Sequence, residues 1–232
     1  MNLYEDQFSE LLDFPRVDTP SKVLVIASTP RSGSHMLGHA LYAAGHFGFP
    51  LEYVNATNLR EWKRRLGRQS TSAVLQEIQR RRTSSNGVFG IKLHYSHIQR
   101  FGSFAALAKL FPDPHFILLS RNDVIKQGVS LAIAEQTGVW ITNQRARTGR
   151  PSYSFAAVDR CLRRIVRDNA AWRYKLAASG SRYIEMDFHS VRNNLAGEIL
   201  RVADFLGIEV DSNCIPSQPV TQRQRSEIND VW

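Results

Sequence analysis

The sequence predicts an α/β domain in which a central parallel β-sheet is flanked by helices, and three observations carry the prediction. Lys22-Val-Leu-Val-Ile-Ala27, Gly87-Val-Phe-Gly-Ile-Lys-Leu93 and His115-Phe-Ile-Leu-Leu-Ser120 are short apolar runs of the kind a strand buried on both faces shows. Helix-spaced segments separate them, and strands that alternate with helices pair in parallel. A length of 232 residues, 43% apolar and 22% charged, suits one domain that buries roughly 70% of its unfolded surface without disulfides or a structural metal.

The elements follow in order. The first twenty residues are read as an arm. The first strand stops at Ser28-Thr29-Pro30; beyond Arg31-Ser-Gly-Ser34 the apolar Met36, Leu37, Ala40, Leu41 and Ala44 take helix spacing, with Gly45 as the stop. Residues 55–86 are polar and weakly patterned, hence loops or surface helices. A helix over Phe104 to Phe111 joins the second and third strands. Residues 136–155 again lack a pattern. Val158, Leu162, Ile165, Val166, Trp172 and Leu176 share one face of a long helix from Phe155 to Ala178, which leads to a fourth strand, Arg182-Tyr-Ile-Glu-Met186. Leu195, Ile199, Val202, Ala203 and Leu206 form a last helix that Gly207 ends. Residues 211–232 are a C-terminal loop region, and no linker or repeat divides residues 1–232, which are read as one domain.

Composition excludes several classes. No apolar run approaches the roughly 18 residues of a membrane span. The first ten residues carry Glu5, Asp6 and Glu10 where a secretory signal has a basic patch, so the chain is expected to be cytoplasmic. Two cysteines, Cys161 and Cys214, make neither a disulfide scaffold nor a zinc site, and no metal is expected. The net charge of +9 implies an anionic partner. Much of it sits in clusters at Arg60 to Arg68, Arg80 to Arg82, Arg145 to Arg150 and Arg160 to Arg167, each read as a solvated face. No helix-turn-helix pattern or aromatic-rich basic stretch supports a nucleic-acid-binding protein, and no nucleic acid is expected.

Two places carry chemistry. Ser28-Thr-Pro-Arg-Ser-Gly-Ser-His35 joins the first strand to a helix N-terminus, where unpaired N–H groups and the helix dipole make an anion site. It is a phosphate-binding loop in position and composition, but not Walker A, because the terminal Gly-Lys-Ser/Thr is missing. The third strand ends in Ser120-Arg121-Asn-Asp, which puts a guanidinium at the carboxyl edge of the sheet, where open α/β folds bind ligands. With a helix over 123–131, Gln127 and Ser130 share a face and can meet the same anion as Arg121.

On these residues the chain resembles the 3'-phosphoadenylyl-sulfate-dependent sulfotransferases. Pro30-Arg-Ser-Gly-Ser34, with His35 after it, is similar to that family's 5'-phosphosulfate loop, and Arg121 with Ser130 to its 3'-phosphate pair. Phe111-Pro-Asp-Pro-His-Phe-Ile-Leu-Leu-Ser-Arg121 and Tyr183-Ile-Glu-Met-Asp continue the likeness, which runs from residue 22 to about 210. It is closest to the bacterial carbohydrate sulfotransferases of the trehalose sulfotransferase type, through Gly48-Phe-Pro-Leu-Glu-Tyr53, Asn86-Gly-Val-Phe-Gly-Ile-Lys-Leu93 and Gln136-Thr-Gly-Val-Trp140. The interval from Arg121 to Ser130 is one residue longer than in the cytosolic animal enzymes. The resemblance implies a P-loop-NTPase-like sulfotransferase fold, 3'-phosphoadenylyl sulfate (PAPS) as donor, 3',5'-diphosphoadenosine (PAP) as product, and a carbohydrate or glycolipid acceptor. A homodimer is implied by analogy alone.

Sulfuryl transfer is an in-line displacement, so the site must cradle the leaving phosphate, neutralise the transferring oxygens and deprotonate a hydroxyl. Arg31, the loop amides and Lys92 can serve the first two needs. Two residues compete as base. Glu52 matches the catalytic Glu of the bacterial type, and His94 in Lys92-Leu-His94 resembles the base of the cytosolic enzymes; Glu52 is preferred because its neighbours are bacterial in type. A carboxylate in an occluded pocket is expected to have a raised pKa. Gln222-Arg-Gln-Arg-Ser226 resembles the basic loop that closes over the nucleotide, which makes Arg223 and Arg225 phosphate ligands. The rival within the enzymes is a Mg-dependent nucleotide kinase.

Overall fold

The computed structural model describes residues 5–111, 113–141, 144, 146, 150–221 and 232. Four strands, β1 (Lys22–Ser28), β2 (Val88–His94), β3 (Pro114–Ser120) and β4 (Arg182–Asp187), form one sheet in the order β2-β1-β3-β4. All three pairings are parallel, with Ser28 opposite His94 and Leu119, and Ser120 opposite Asp187. The carboxyl ends of all four strands therefore lie along one edge.

Alternation along the strands builds three layers. Val23, Val25 and Ala27 join Phe89, Ile91, Leu93, Phe116 and Leu118 on one face. That face is covered by α2 (Ala56–Leu66), α3 (Thr71–Arg82), α4 (Phe104–Leu110) and the 24-residue α6 (Phe155–Ala178), which inserts Trp172 and Leu176. Leu24, Ile26, Ile117 and Leu119 face α1 (Ser34–Ala43) and α8 (Leu195–Leu206), with Val191 of α7 (Phe188–Asn193). A third cluster joins Val129, Leu131 and Ala132 of α5 (Val124–Thr137) to Val158, Cys161 and Ile165 of α6.

The expected strands and helices are present, and β1, β2 and β4 each run one residue further than the pattern suggested. The weakly patterned stretch 55–86 holds two helices. Asn55 and Ser70 cap them through Thr57 N–H and Ala73 N–H, and only Leu59 and Trp62 of α2 are buried. The arm packs on these helices through two short 3-10 turns, Glu5–Phe8 and Glu10–Leu12.

Candidate active site

The loop between β1 and α1 has two left-handed residues, Arg31 (φ 66°) and Gly33 (φ 90°). A non-glycine residue held there costs about 1–2 kcal/mol, so the surroundings must enforce it. They do so from behind. Trp172 Nε1–H donates to the Ser28 carbonyl (3.1 Å), Thr29 Oγ1 donates to Asn169 Oδ1 (3.2 Å), and Gln127 Nε2 donates to Thr29 Oγ1 (3.0 Å) and the Pro30 carbonyl (2.8 Å). Gln127 thus braces the loop from α5 and does not face the ligand beside Ser130, as its helix position had suggested. At Gly33 the Phe188 ring occupies the space a Cβ would need.

The Arg31 guanidinium reaches sideways, donating through Nε to Ser130 Oγ (2.9 Å) and through Nη1 to the Trp140 carbonyl (2.8 Å). Burial and the nearby charge of Arg121 push its pKa down to about 10. The guanidinium of Arg121 lies 5.2 Å from the centre of the Phe188 ring, and the Asp187 carboxylate at the end of β4 accepts from Asn122 N–H (2.9 Å). Arg31, Ser130 and Arg121 therefore form one cationic group. Ser130, expected to partner Arg121, is engaged by Arg31.

The second group lies at β2. Lys92 pairs in register with Ile26 and His94 with Ser28. Segment 47–53 passes between α1 and β2 and adds Leu51 as a parallel bridge to Ile91. Three glycines make its path: a Cβ on Gly38 would strike the Pro50 carbonyl, one on Gly90 would lie 2.5 Å from the Phe47 carbonyl, and one on Gly48 would lie 2.6 Å from Gly90 N. The segment delivers Glu52, whose Oε1 lies 2.9 Å from Lys92 Nζ and 3.2 Å from His94 Nε2. Asn55 Nδ2 donates to Oε2 (3.4 Å), and Asn58 Nδ2 to the Glu52 carbonyl (2.9 Å).

The two candidate bases are thus in contact. His94 Nδ1 lies 3.1 Å from Ser28 Oγ, and the Ser28 carbonyl already accepts from Trp172. Nδ1 also lies 3.3 Å from the Ser28 carbonyl, and because Nε2 faces a carboxylate, the contact with Glu52 calls for the proton on Nε2. Burial raises the Glu52 pKa, but Lys92, His94 and His97 outweigh it and hold the carboxyl well below its ordinary value. The expectation of a raised pKa is corrected by that pairing. Burial, Lys92 and His39 lower His35 to about 2; burial and Lys92 lower His39 to about 4; burial and His94 lower His97 to about 3. All three rings are neutral at pH 7.

Both groups line one cavity of about 1750 Å³, to which Pro30, Gly33, Ser34 and His35 also contribute. Ser32 departs from its expected place: it is fully buried, its N–H donates to the Thr29 carbonyl (3.3 Å), and its residue is not on the cavity wall. Pro219, Val220 and Thr221 reach the same cavity; Arg223, Arg225, Arg145 and Arg147 lie outside the described residues. His39, His97, Asn55, Asn58 and Gln7 line it without any sequence motif to announce them. Several of the clustered arginines are paired within the chain: Arg64 and Arg65 with Glu61, Arg81 with Glu77, Arg82 with Asp13, and Arg163 with Asp159. Among the described residues no group of three His, Cys, Asp or Glu side chains is placed to hold a metal ion, and no helix is long and apolar enough to cross a membrane.

The Stf0 sulphotransferase family model matches residues 23–232. The trehalose 2-sulfotransferase of Mycolicibacterium smegmatis is 28% identical, over 93% of this chain and 94% of its own length, and that of Mycobacterium tuberculosis 27%, over 90% and 91%. Among solved structures, the sulfotransferase domain of the curacin biosynthetic pathway aligns with a TM-score of 0.52 at 14% identity, over 92% of this chain and 82% of that one. The sulfotransferase domain of the Synechococcus PCC 7002 olefin synthase gives 0.51 at 14%, over 90% and 80%. The two structures share the fold. The chain belongs to the Stf0 sulphotransferase family.

Proposed function

We propose that this Stf0 sulphotransferase moves the sulfuryl group of 3'-phosphoadenylyl sulfate to a hydroxyl of a carbohydrate, with trehalose the first acceptor to try because both curated relatives are trehalose 2-sulfotransferases. One observation carries the reading: two guanidinium groups, Arg31 on a hydroxyl and a carbonyl and Arg121 nearby, share a cavity with the Glu52–Lys92–His94 cluster. The first suits a doubly phosphorylated nucleotide, since guanidinium groups bind phosphate as a fork. The loop amides with Arg31 would hold the 5' side and Arg121 the 3'-phosphate. Arg223 and Arg225, following the cavity-lining Pro219 to Thr221, would add to the 3' side.

The bond from sulfur to the 5'-phosphate oxygen breaks as the acceptor oxygen bonds to sulfur; PAP leaves, and the acceptor proton goes to Glu52. Lys92 has two uses that exclude each other. Paired with Glu52 it keeps the carboxylate a weak base; drawn to the sulfuryl oxygens it releases Glu52 and the pKa rises towards working pH. Deprotonation is then tied to the presence of the donor. His94, with its Nε2 proton towards Glu52, holds the carboxylate in place. A glycolipid acceptor would present the same kind of hydroxyl.

The test compares Glu52→Gln with His94→Asn, using PAPS and trehalose for turnover and calorimetry with PAP in excess EDTA for binding. Glu52→Gln should lower kcat by roughly 10²-fold or more with PAP affinity near wild type, and His94→Asn should cost less. The reverse ranking moves the base to His94. ATP binding that disappears with EDTA would overturn the reading in favour of a kinase.

A further inference from the structure

The arm is fastened to α2 and α3 at every few residues. Phe14 N–H donates to the Arg81 carbonyl (2.8 Å) and Val17 N–H to that of Arg80 (3.1 Å). The fully buried Arg82 donates to the carbonyls of Gln7 (3.0 Å) and Ser9 (2.9 Å) and pairs with Asp13 at 2.7 Å. Arg16 pairs with Glu77 and Arg65 with Glu5, both at 2.9 Å, and the Phe8 ring lies 5.0 Å from that of Trp62. Arg65, Arg81 and Arg82 of the two basic clusters thereby meet acidic side chains of the arm.

All this fastening brings one arm side chain to the cavity. Gln7, 2% exposed, lines it beside Asn58 and Asn55. Its Nε2 donates to Asn58 Oδ1 (3.3 Å), and Asn58 in turn donates to the Glu52 carbonyl. The Gln7 side-chain oxygen, Oε1, accepts no hydrogen bond among the described residues. The wall around Glu52 thus carries carboxamides where the Arg31 and Arg121 wall carries guanidinium groups. A carboxamide both donates and accepts, as a hydroxyl does. An acceptor without hydroxyls would leave the Gln7 Oε1 dry and unpaired, and sites built to hydrogen-bond a hydroxyl discriminate steeply against ligands that lack it.

We infer that the N-terminal arm is the acceptor-reading element of the site, with Gln7 and Asn58 binding hydroxyls of a neutral polyhydroxyl acceptor adjacent to the one that Glu52 deprotonates. The inference rests on the sulfotransferase reading. Its test is Gln7→Leu, with Gln7→Met as a second variant that keeps the unbranched shape should Leu lower the melting temperature. Initial rates are measured with PAPS and a panel of neutral mono- and disaccharides, phenols and anionic sugars, and PAP affinity by calorimetry. The expected result is a KM for the best neutral sugar raised about tenfold, with kcat, the KM for PAPS and PAP affinity near wild type. An unmoved acceptor KM overturns the inference, as does an equal loss of PAP affinity. A wild type that binds PAP but sulfates only phenols or anionic sugars overturns it and leaves the donor reading standing. A wild type that binds no PAP defeats the reading itself.

Discussion

The two walls of the cavity handle charge in opposite ways. On the side of β3 and β4, Arg31 is half-buried against a hydroxyl and a carbonyl, and desolvation together with the second guanidinium lowers its pKa to about 10. On the side of β2, Lys92 is buried against a carboxylate at 2.9 Å. Among the described residues the first is a cation with no carboxylate on it, suited to an anionic ligand. The second is already neutral as a pair, and any ligand that takes the lysine frees the carboxylate. One wall is built to hold and the other to exchange.

Substitutions on the two walls should therefore differ in sign as well as size. Arg31→Met is expected to weaken PAP roughly 10²-fold, the scale of losing charge-assisted hydrogen bonds, without lowering the thermal stability of the free protein, because it removes a half-buried charge that no carboxylate among the described residues pairs with. Calorimetry and a melting curve on the same sample check both; a clear drop in melting temperature with unaltered PAP affinity would erase the contrast.

Lys92→Met should do the converse, keeping most of the PAP affinity and destabilising the fold by about 2–3 kcal/mol, below the ~3–5 kcal/mol of a fully buried broken pair. The sign with pH follows from linkage. Glu52 has its folded pKa held well below its ordinary value, so its contribution is present above that ordinary value and is lost as pH falls through the folded pKa. The deficit of Lys92→Met should be greatest near neutral pH and shrink in acid. In the same variant the acid limb of kcat/KM should move to higher pH, since Glu52 loses its main counter-charge. A limb that stays in place would mean that another group sets it.

The smallest effect sharpens the comparison within one wall. Arg121→Ala should weaken PAP about tenfold more than adenosine 5'-phosphate, because only PAP carries the 3'-phosphate. Equal losses would make Arg121 a support for Arg31 through Phe188.

The wall built on β3 was the more legible in the sequence, for a local reason. Arg31 and Arg121 follow buried apolar strands directly, and the run that makes the strand also announces its end. The long helix Phe155–Ala178 was equally plain from its buried stripe. Helix α2 was not, because it buries only Leu59 and Trp62 and leans on the arm. The direction of the Glu52 shift was misread because the sequence brings Lys92 to the same sheet edge but does not say that its Nζ lies 2.9 Å from the carboxylate. Ser32 was misplaced for a subtler reason: within a turn of five residues, backbone angles decide which side chains face inward, and Arg31 adopts φ 66° against its residue type.

The three glycines along segment 47–53 govern which chemistry the sheet edge can host. With any side chain at 38, 48 or 90, a carbonyl or amide would have to move, and the segment could no longer run beside β2. Such a chain would keep Lys92 and His94 at the end of their strand, yet have no carboxylate between them. The imidazole would then be the remaining proton acceptor. The presence of a carboxylate beside Lys92 and His94 thus depends on empty volume at three positions outside the cavity wall.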